Sequence, residues 1–111
     1  MVAVFWMSKL KPGVAAADYE AWVQDFDYEK ARELTSIRSY RTYRIDEPFF
    51  GPGSAPFDYL EVIEVTNLDE YRRELNEYPA AQAIAQEWGD YVELVHSLSG
   101  ELFQPGVSMD K

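Results

Sequence analysis

Three side chains on predicted strands have the chemistry of acid–base catalysis, namely Glu61, His96 and Tyr59. Glu61 lies in the segment 57–66 (FDYLEVIEVT) between apolar neighbours. If it is buried there, its pKa rises and it could act as a general base or acid near neutral pH. The alternative is an ion pair with Arg41 or Arg44 on the neighbouring strand. Strand alternation places Glu64 on the opposite face, where a structural role is expected.

His96 is the only histidine, and its side chain type titrates near pH 7. Its parity predicts a common face with Val92, Leu94 and Leu98, so the alternative to a proton shuttle is a core or interface histidine. A single histidine excludes a multi-histidine metal site, and no metal or cofactor is predicted. Tyr59 shares the predicted face of Glu61 and could donate to a substrate carbonyl or enolate. It could equally pack at a dimer interface.

Aromatic residues form a second candidate group. Trp6 comes from a predicted strand, whereas Trp22, Phe26 and Trp88 come from predicted helices. These elements would face each other in the fold, and the four rings could wall a pocket for a flat, conjugated ligand. Core packing explains each ring equally well.

The remaining candidates lie on strand two and before a predicted kink. Arg41 has the opposite parity from Arg38 and Arg44, and one of these arginines could neutralise a substrate carboxylate or phenolate. The alternative is a solvated arginine or one paired with an acid. Tyr40 and Tyr43 have the same two possible roles as Tyr59, donation to a substrate or packing at an interface, with less support from the sequence. Asp27 ends an apolar helical stripe, so capping of a second short helix is its default role.

Four predicted strands and the predicted helices between them must position these residues. Residues 2–9, 36–46, 57–66 and 91–98 are predicted strands, with a possible short edge piece at 101–103. The stripe of Tyr19, Trp22, Val23 and Phe26 predicts the first helix. Asn67 and Glu70 have capping-box spacing before the next helix, and Pro79 suits the first turn of another that Gly89 could end. Residues 47–56, rich in proline and glycine, predict a loop.

Composition limits the partners of the chain. The 111 residues suit one domain, over 1–103, followed by a flexible tail at 104–111. A net charge of −10 argues against binding to nucleic acid or to an anionic membrane surface. No apolar run is long enough to span a bilayer. The absence of cysteine excludes disulfides and fits a cytoplasmic location.

The order β-α-β-β-α-β predicts an α+β, ferredoxin-like domain with a four-stranded antiparallel sheet. Helices on one face leave the other face open, and that face carries aromatic and branched residues. Burial against a second copy is the simplest solution, so a homodimer is expected.

Several motifs resemble the REDY-like (HapK) family. They are Tyr19-Glu20-Ala21-Trp22-Val23 followed by Asp25 and Asp27, the stretch 34–40 (LTSIRSY), and the strand 57–65 (FDYLEVIEV). The resemblance covers roughly residues 3–103 and implies a dimeric α+β barrel. It also implies a role in the biosynthesis of prodiginine pigments and related aromatic alkaloids, where some relatives look like cofactor-free cyclases that close a carbazole ring. The family match favours site roles for Glu61 and Asp27.

Three functions are therefore considered. The first is a cofactor-independent cyclase that cyclises and dehydrates an aromatic, indole- or pyrrole-bearing intermediate. In this reaction an apolar cavity folds the substrate and excludes water, while Glu61 or His96 removes a proton beside a carbonyl. The second is a cofactor-free or haem-linked monooxygenase. The third is a non-catalytic carrier that protects an unstable small aromatic molecule.

Overall fold

A computed structural model describes residues 1–109 of the chain. The strands are β1 (Val2–Leu10), β2 (Ile37–Arg44), β3 (Tyr59–Val65) and β4 (Val92–Glu101). The α-helices are α1 (Ala16–Trp22), α2 (Tyr28–Ala31), α3 (Leu68–Glu77) and α4 (Pro79–Trp88), with a π-helical turn at Val23–Asp27 between α1 and α2. The predicted order of elements is confirmed.

The four strands form one antiparallel sheet in the order β2-β3-β1-β4. This is the predicted ferredoxin-like arrangement, in which β1 and β3 are central and β2 and β4 are edges. β4 continues without a break to Glu101, so the separate edge piece expected at 101–103 is wrong. Residues 102–109 contain no helix or strand and are exposed, and the last two residues of the predicted tail lie outside the described residues.

Local signals predicted the second half of the chain well. The Asn67 side chain accepts a hydrogen bond from the Glu70 backbone N–H at 2.9 Å, which caps the start of α3. Pro79 occupies the first turn of α4, where its missing N–H costs no helical hydrogen bond. The helix ends at Trp88 with Gly89 as C-cap, as predicted. Residues 47–56 form a loop without helix or strand.

Two apolar clusters lie between the sheet and the helices. One is built around Val4, Leu34, Ile63, Val65 and Tyr71. The other is built around Tyr19, Trp22, Val23, Tyr59 and Val92. The side chains of β3 alternate strictly, since those at positions 59, 61, 63 and 65 are buried under the helices and those between them are partly exposed on the other face. Among residues 1–109, no helix has the length and apolar character needed to cross a bilayer.

Candidate functional site

A cavity of about 140 Å³ lies between the sheet and the helices. Most of its wall is apolar or aromatic, and its larger side chains are Trp6, Leu34, Ile63, Tyr71, Ile84 and Trp88. Two carboxyl side chains also line it, those of Asp27 and Glu61. An apolar cavity with a few convergent polar groups is the usual form of a small-molecule site.

Glu61 reaches the cavity because of the alternation of β3. It lies at the middle of the strand, opposite Trp6 of β1 and Thr42 of β2, on the face that the helices cover. Its exposed fraction is only 2%. No arginine pairs with it, because Arg44 binds Glu20 and Arg41 binds Glu64 instead. The ion-pair alternative for Glu61 is therefore wrong.

Asp27 reaches the same cavity through the π-helical turn. The backbone N–H of Tyr28 donates to the carbonyl of Val23, five residues earlier, which widens the helix by one residue. Asp27 is 1% exposed and makes no capping hydrogen bond, although it precedes α2. The expected capping role is wrong. π-helical turns of this kind are frequent at functional sites.

The two carboxyls are joined by tyrosine hydroxyls. The Tyr40 hydroxyl lies 2.5 Å from Asp27 Oδ2 and also contacts Glu61 Oε2. The Tyr19 hydroxyl donates to Glu61 Oε1 at 2.7 Å. The indole N–H of Trp88 donates to the Tyr19 oxygen at 3.3 Å and so extends the chain of hydrogen bonds.

The hydrogens in this arrangement can be counted. A phenol has one hydrogen, so Tyr40 can donate to only one of the two carboxyls that contact its oxygen. The other carboxyl must then be protonated and donate to Tyr40. Two tyrosine hydroxyls, those of Tyr19 and Tyr40, contact Glu61, whereas one contacts Asp27. Hydrogen bonds donated by both tyrosines therefore favour Glu61 as the carboxylate, with Asp27 as the carboxylic acid that donates to Tyr40.

The electrostatics favour a bound proton on this pair of carboxyls. Burial raises the pKa of Asp27 to about 7, opposed by the Tyr40 hydrogen bond and reinforced by the charge of Glu61. Burial also raises the pKa of Glu61, while the hydrogen bonds from Tyr40 and Tyr19 lower it. Burial and the neighbouring acids raise the pKa of Tyr40 well above the usual range, which keeps the phenol protonated. The cluster can thus both accept and donate a proton near neutral pH.

Two of the four aromatic rings expected to form one pocket line this cavity. Trp6 and Trp88 line the cavity, but Trp22 and Phe26 lie in the neighbouring apolar cluster. Trp22 stacks against Phe26 with ring centroids 5.8 Å apart, and its indole N–H donates to Glu87. These two rings pack in the second apolar cluster and do not line the cavity.

Tyr59 is buried beside the cavity but does not line it. Its ring packs on Tyr19 with centroids 4.8 Å apart, and its hydroxyl donates to Glu20 at 2.8 Å. Arg44 binds the same Glu20 carboxylate through two nitrogens, at 2.5 and 2.6 Å. Tyr59 therefore shares the buried face of Glu61, as predicted, but its hydroxyl donates to Glu20 and does not line the cavity.

His96, Arg41 and Tyr43 lie on the opposite face of the sheet from Glu61. Thr42 is the residue of β2 paired with Glu61, so its neighbours Arg41 and Tyr43 point the other way. In β4 the register shifts between the pairs Met7–His96 and Ser8–Leu94, which leaves one extra residue in β4. This bulge separates His96 from Val92 and Leu94, so their predicted common face is wrong. None of these three described residues lines the cavity.

Sequence reasoning missed the tyrosines that hold the carboxyls. Tyr40 was expected only to donate to a substrate or to pack at an interface, and Tyr19 only to form part of the apolar stripe of the first helix. The parity of β2 offered a signal for Tyr40, since it shares a face with Thr42 and so with Glu61. No comparable signal exists for Tyr19, because its contact with Glu61 joins positions far apart in the sequence.

Comparison with known proteins identifies a matching family and solved structures of similar fold. A family model described as REDY-like protein HapK matches residues 2–103. The solved structure of HapK from Hahella chejuensis is similar, with a TM-score of 0.81 and 24% identity over 99% of this chain and 100% of that chain. SnoaB, a cofactor-independent oxygenase from Streptomyces nogalater, gives a TM-score of 0.71 and 15% identity, covering 94% of each chain.

A dimeric protein of unknown function with a ferredoxin-like fold, from Bacteroides fragilis, gives a TM-score of 0.65 and 16% identity over 91% of this chain and 95% of that chain. The search of curated proteins found no match. At these identities the solved structures establish the fold of the chain.

Proposed function

Since the chain belongs to the REDY-like HapK family, we propose that it is a cofactor-independent cyclase acting on an aromatic, indole- or pyrrole-bearing intermediate of natural-product biosynthesis. The observation that carries this proposal is the pair of buried carboxyls, Asp27 and Glu61, in contact with one Tyr40 hydroxyl at an apolar cavity. This arrangement supplies a base and an acid without a cofactor.

The proposed reaction starts with removal of a proton. The Glu61 carboxylate takes a proton from a carbon beside a carbonyl, and the resulting enolate carbon attacks a second carbonyl of the same molecule. A carbon–carbon bond forms, and the oxygen of the attacked carbonyl receives the proton of Asp27. Tyr40 then passes a proton from Glu61 to Asp27, which restores the starting state of the pair.

Dehydration uses the same groups again. Glu61 takes a second proton from the carbon beside the carbonyl, and Asp27 protonates the hydroxyl as it leaves as water. The net reaction is ring closure with loss of one water, and no oxidation or reduction occurs. The cavity contributes by folding the substrate and excluding bulk water.

A cofactor-independent oxygenase is the second candidate. The structural similarity to SnoaB favours it. A carbanion or phenolate formed by Glu61 would then react with molecular oxygen, the oxidant that this alternative requires. The two candidates share the first proton transfer and differ in their need for oxygen.

We also propose a homodimer that buries the open face of the sheet. This face carries Phe5, Met7, Leu60 and Val62, together with Leu98, which is 57% exposed. The dimeric ferredoxin-like neighbour supports this proposal. Light scattering should give a mass of two chains, and Leu98→Asp should shift it toward one. A wild-type mass of one chain at micromolar concentration would contradict the proposal.

The catalytic proposal is tested by proton exchange. Indole-3-acetone has an acidic methylene between an indole and a ketone, and its exchange with deuterium in D2O can be followed by NMR. We expect wild type to accelerate exchange, and Glu61→Gln to reduce the acceleration about a hundredfold, as for a lost general base. Glu64→Gln is the matched control, since it lies on the same strand and faces the other way.

The outcomes separate the candidate functions. Equal exchange by Glu61→Gln and wild type would show that Glu61 is not the base. Binding of the probe without accelerated exchange would favour the carrier. Turnover of an indole-bearing dicarbonyl should proceed without oxygen if the protein is a cyclase, whereas product formation only with consumption of oxygen would identify an oxygenase.

A further inference from the structure

An outer recess adjoins the cavity that contains Asp27 and Glu61. It has a volume of about 460 Å³ and shares four wall residues with the cavity, namely Ala31, Leu34, Ile37 and Tyr40. Two arginines, Arg32 and Arg38, line the outer recess, whereas no basic side chain among residues 1–109 lines the inner cavity. The combined site is therefore acidic inside and basic outside.

Arg38 is distinguished from the other arginines by its lack of an acidic partner. Arg32, Arg41, Arg44, Arg72 and Arg73 each form an ion pair with a nearby glutamate or aspartate. Within residues 1–109, no carboxylate lies within ion-pair distance of Arg38. In a chain with a net charge of −10, an unpaired arginine is unusual.

The backbone of β2 also singles out this position. The strand register shifts between Ile37, which pairs with Val65, and Ser39, which pairs with Glu64, so Arg38 is an extra residue with no partner in the ladder. Such a bulge re-aims side chains and is common beside functional sites. Here it allows Ile37 and Tyr40 both to line the cavity while Arg38 lies at the outer recess.

We propose that the ligand carries a carboxylate and that Arg38 binds this group in the outer recess while the conjugated ring occupies the inner cavity. This inference rests on the proposed function for the ring system of the ligand. A guanidinium matches the geometry of a carboxylate and forms charge-assisted hydrogen bonds with it. The negative charge shared by Asp27 and Glu61 repels a carboxylate from the inner cavity, so the two ends of the site fix one orientation of the ligand.

The test compares two probes that differ only in charge. Indole-3-propionate and indole-3-propionamide are titrated against the full chain by calorimetry. Wild type should bind the carboxylate about tenfold more tightly than the amide, and this preference should weaken in added salt because Arg38 is exposed. Arg38→Gln should abolish the preference without changing the affinity for the amide.

Arg41→Gln is the matched control, because Arg41 lies on the same strand, is exposed and faces away from the cavity. It should keep the preference. Equal binding of the two probes to wild type, a preference that survives Arg38→Gln, or failure of wild type to bind either probe would overturn the proposal. These probes measure binding alone, so a carboxylate preference without proton exchange would support the Arg38 subsite and contradict the cyclase.

Discussion

The carboxyls of Asp27 and Glu61 meet across a single phenol hydroxyl, that of Tyr40, although one lies in a helical turn and the other in the middle of a strand. Both are almost fully buried, and in the described part of the chain no basic side chain lines the cavity that they share. Such a pair is most stable with one bound proton, because burial disfavours two adjacent negative charges. The singly protonated state is therefore the resting state expected of this pair.

Asp27→Asn should remove the general acid. In wild type the turnover rate of an indole-bearing dicarbonyl should fall as the pH rises through about 7, the value to which burial raises the pKa of Asp27. The variant should be slower by roughly ten- to a hundredfold at neutral pH and should lack this alkaline decline. A rate profile from pH 5 to 9 measures both effects.

Asp25→Asn is the control for this substitution, because Asp25 is exposed in the same π-helical turn. It should keep the wild-type rate and the alkaline decline. An Asp27→Asn profile that still declines near pH 7 would assign that decline to another group.

Tyr40→Phe should uncouple the two carboxyls. Tyr40 is a hydrogen-bond partner of both carboxyls, so its loss should move the alkaline decline away from pH 7. The rate should also drop by about tenfold or more, since proton return between the carboxyls loses its carrier. Tyr43→Phe, on the same strand but 49% exposed on the other face, should behave as wild type.

Infrared spectroscopy provides a second measurement for the same variants. Wild type should show the C=O stretch of a carboxylic acid at neutral pH, Asp27→Asn should lose it, and Tyr40→Phe should retain it. Persistence of the band in Asp27→Asn would refute the assignment of the proton to Asp27.

Features that follow from the periodicity of strands and helices, and from local capping residues, were predicted correctly from the sequence. The alternation of β3 placed Glu61 and Glu64 on opposite faces, and local capping signals gave the starts of α3 and α4. Irregularities of the backbone defeated the remaining predictions. One extra residue in β4 inverts the face of His96, and one extra residue in a helical turn directs Asp27 inward. Insertions of this kind depend on packing with other elements, which periodicity does not record.

Burial of Asp27 should also appear in the pH dependence of stability. In the unfolded chain its pKa is near the ordinary 3.8, whereas in the fold it is about 7, so the folded state binds more protons between these values. The free energy of unfolding should therefore decrease as the pH rises from 4 to 7. Relative to wild type, Asp27→Asn should gain roughly 2–4 kcal/mol over this range.

Urea unfolding at pH 4, 5.5 and 7 measures this difference directly. Asp25→Asn should remain parallel to wild type at all three values. Parallel behaviour of Asp27→Asn would show that Asp27 has the same pKa in the folded and unfolded states.

Glu74 should matter for stability rather than for chemistry. Its side chain in α3 is 0% exposed and accepts hydrogen bonds from the backbone N–H groups of Thr35 and Ser36, at 3.1 and 3.0 Å, and from both hydroxyls. Glu74→Ala would leave these donors unpaired just before β2 and should cost roughly 3–5 kcal/mol of unfolding free energy. Glu77→Ala, exposed on the same helix, should cost less than about 0.5 kcal/mol. If urea unfolding gives the two variants equal stability, the carboxylate of Glu74 does not anchor the start of the strand that carries Arg38 and Tyr40.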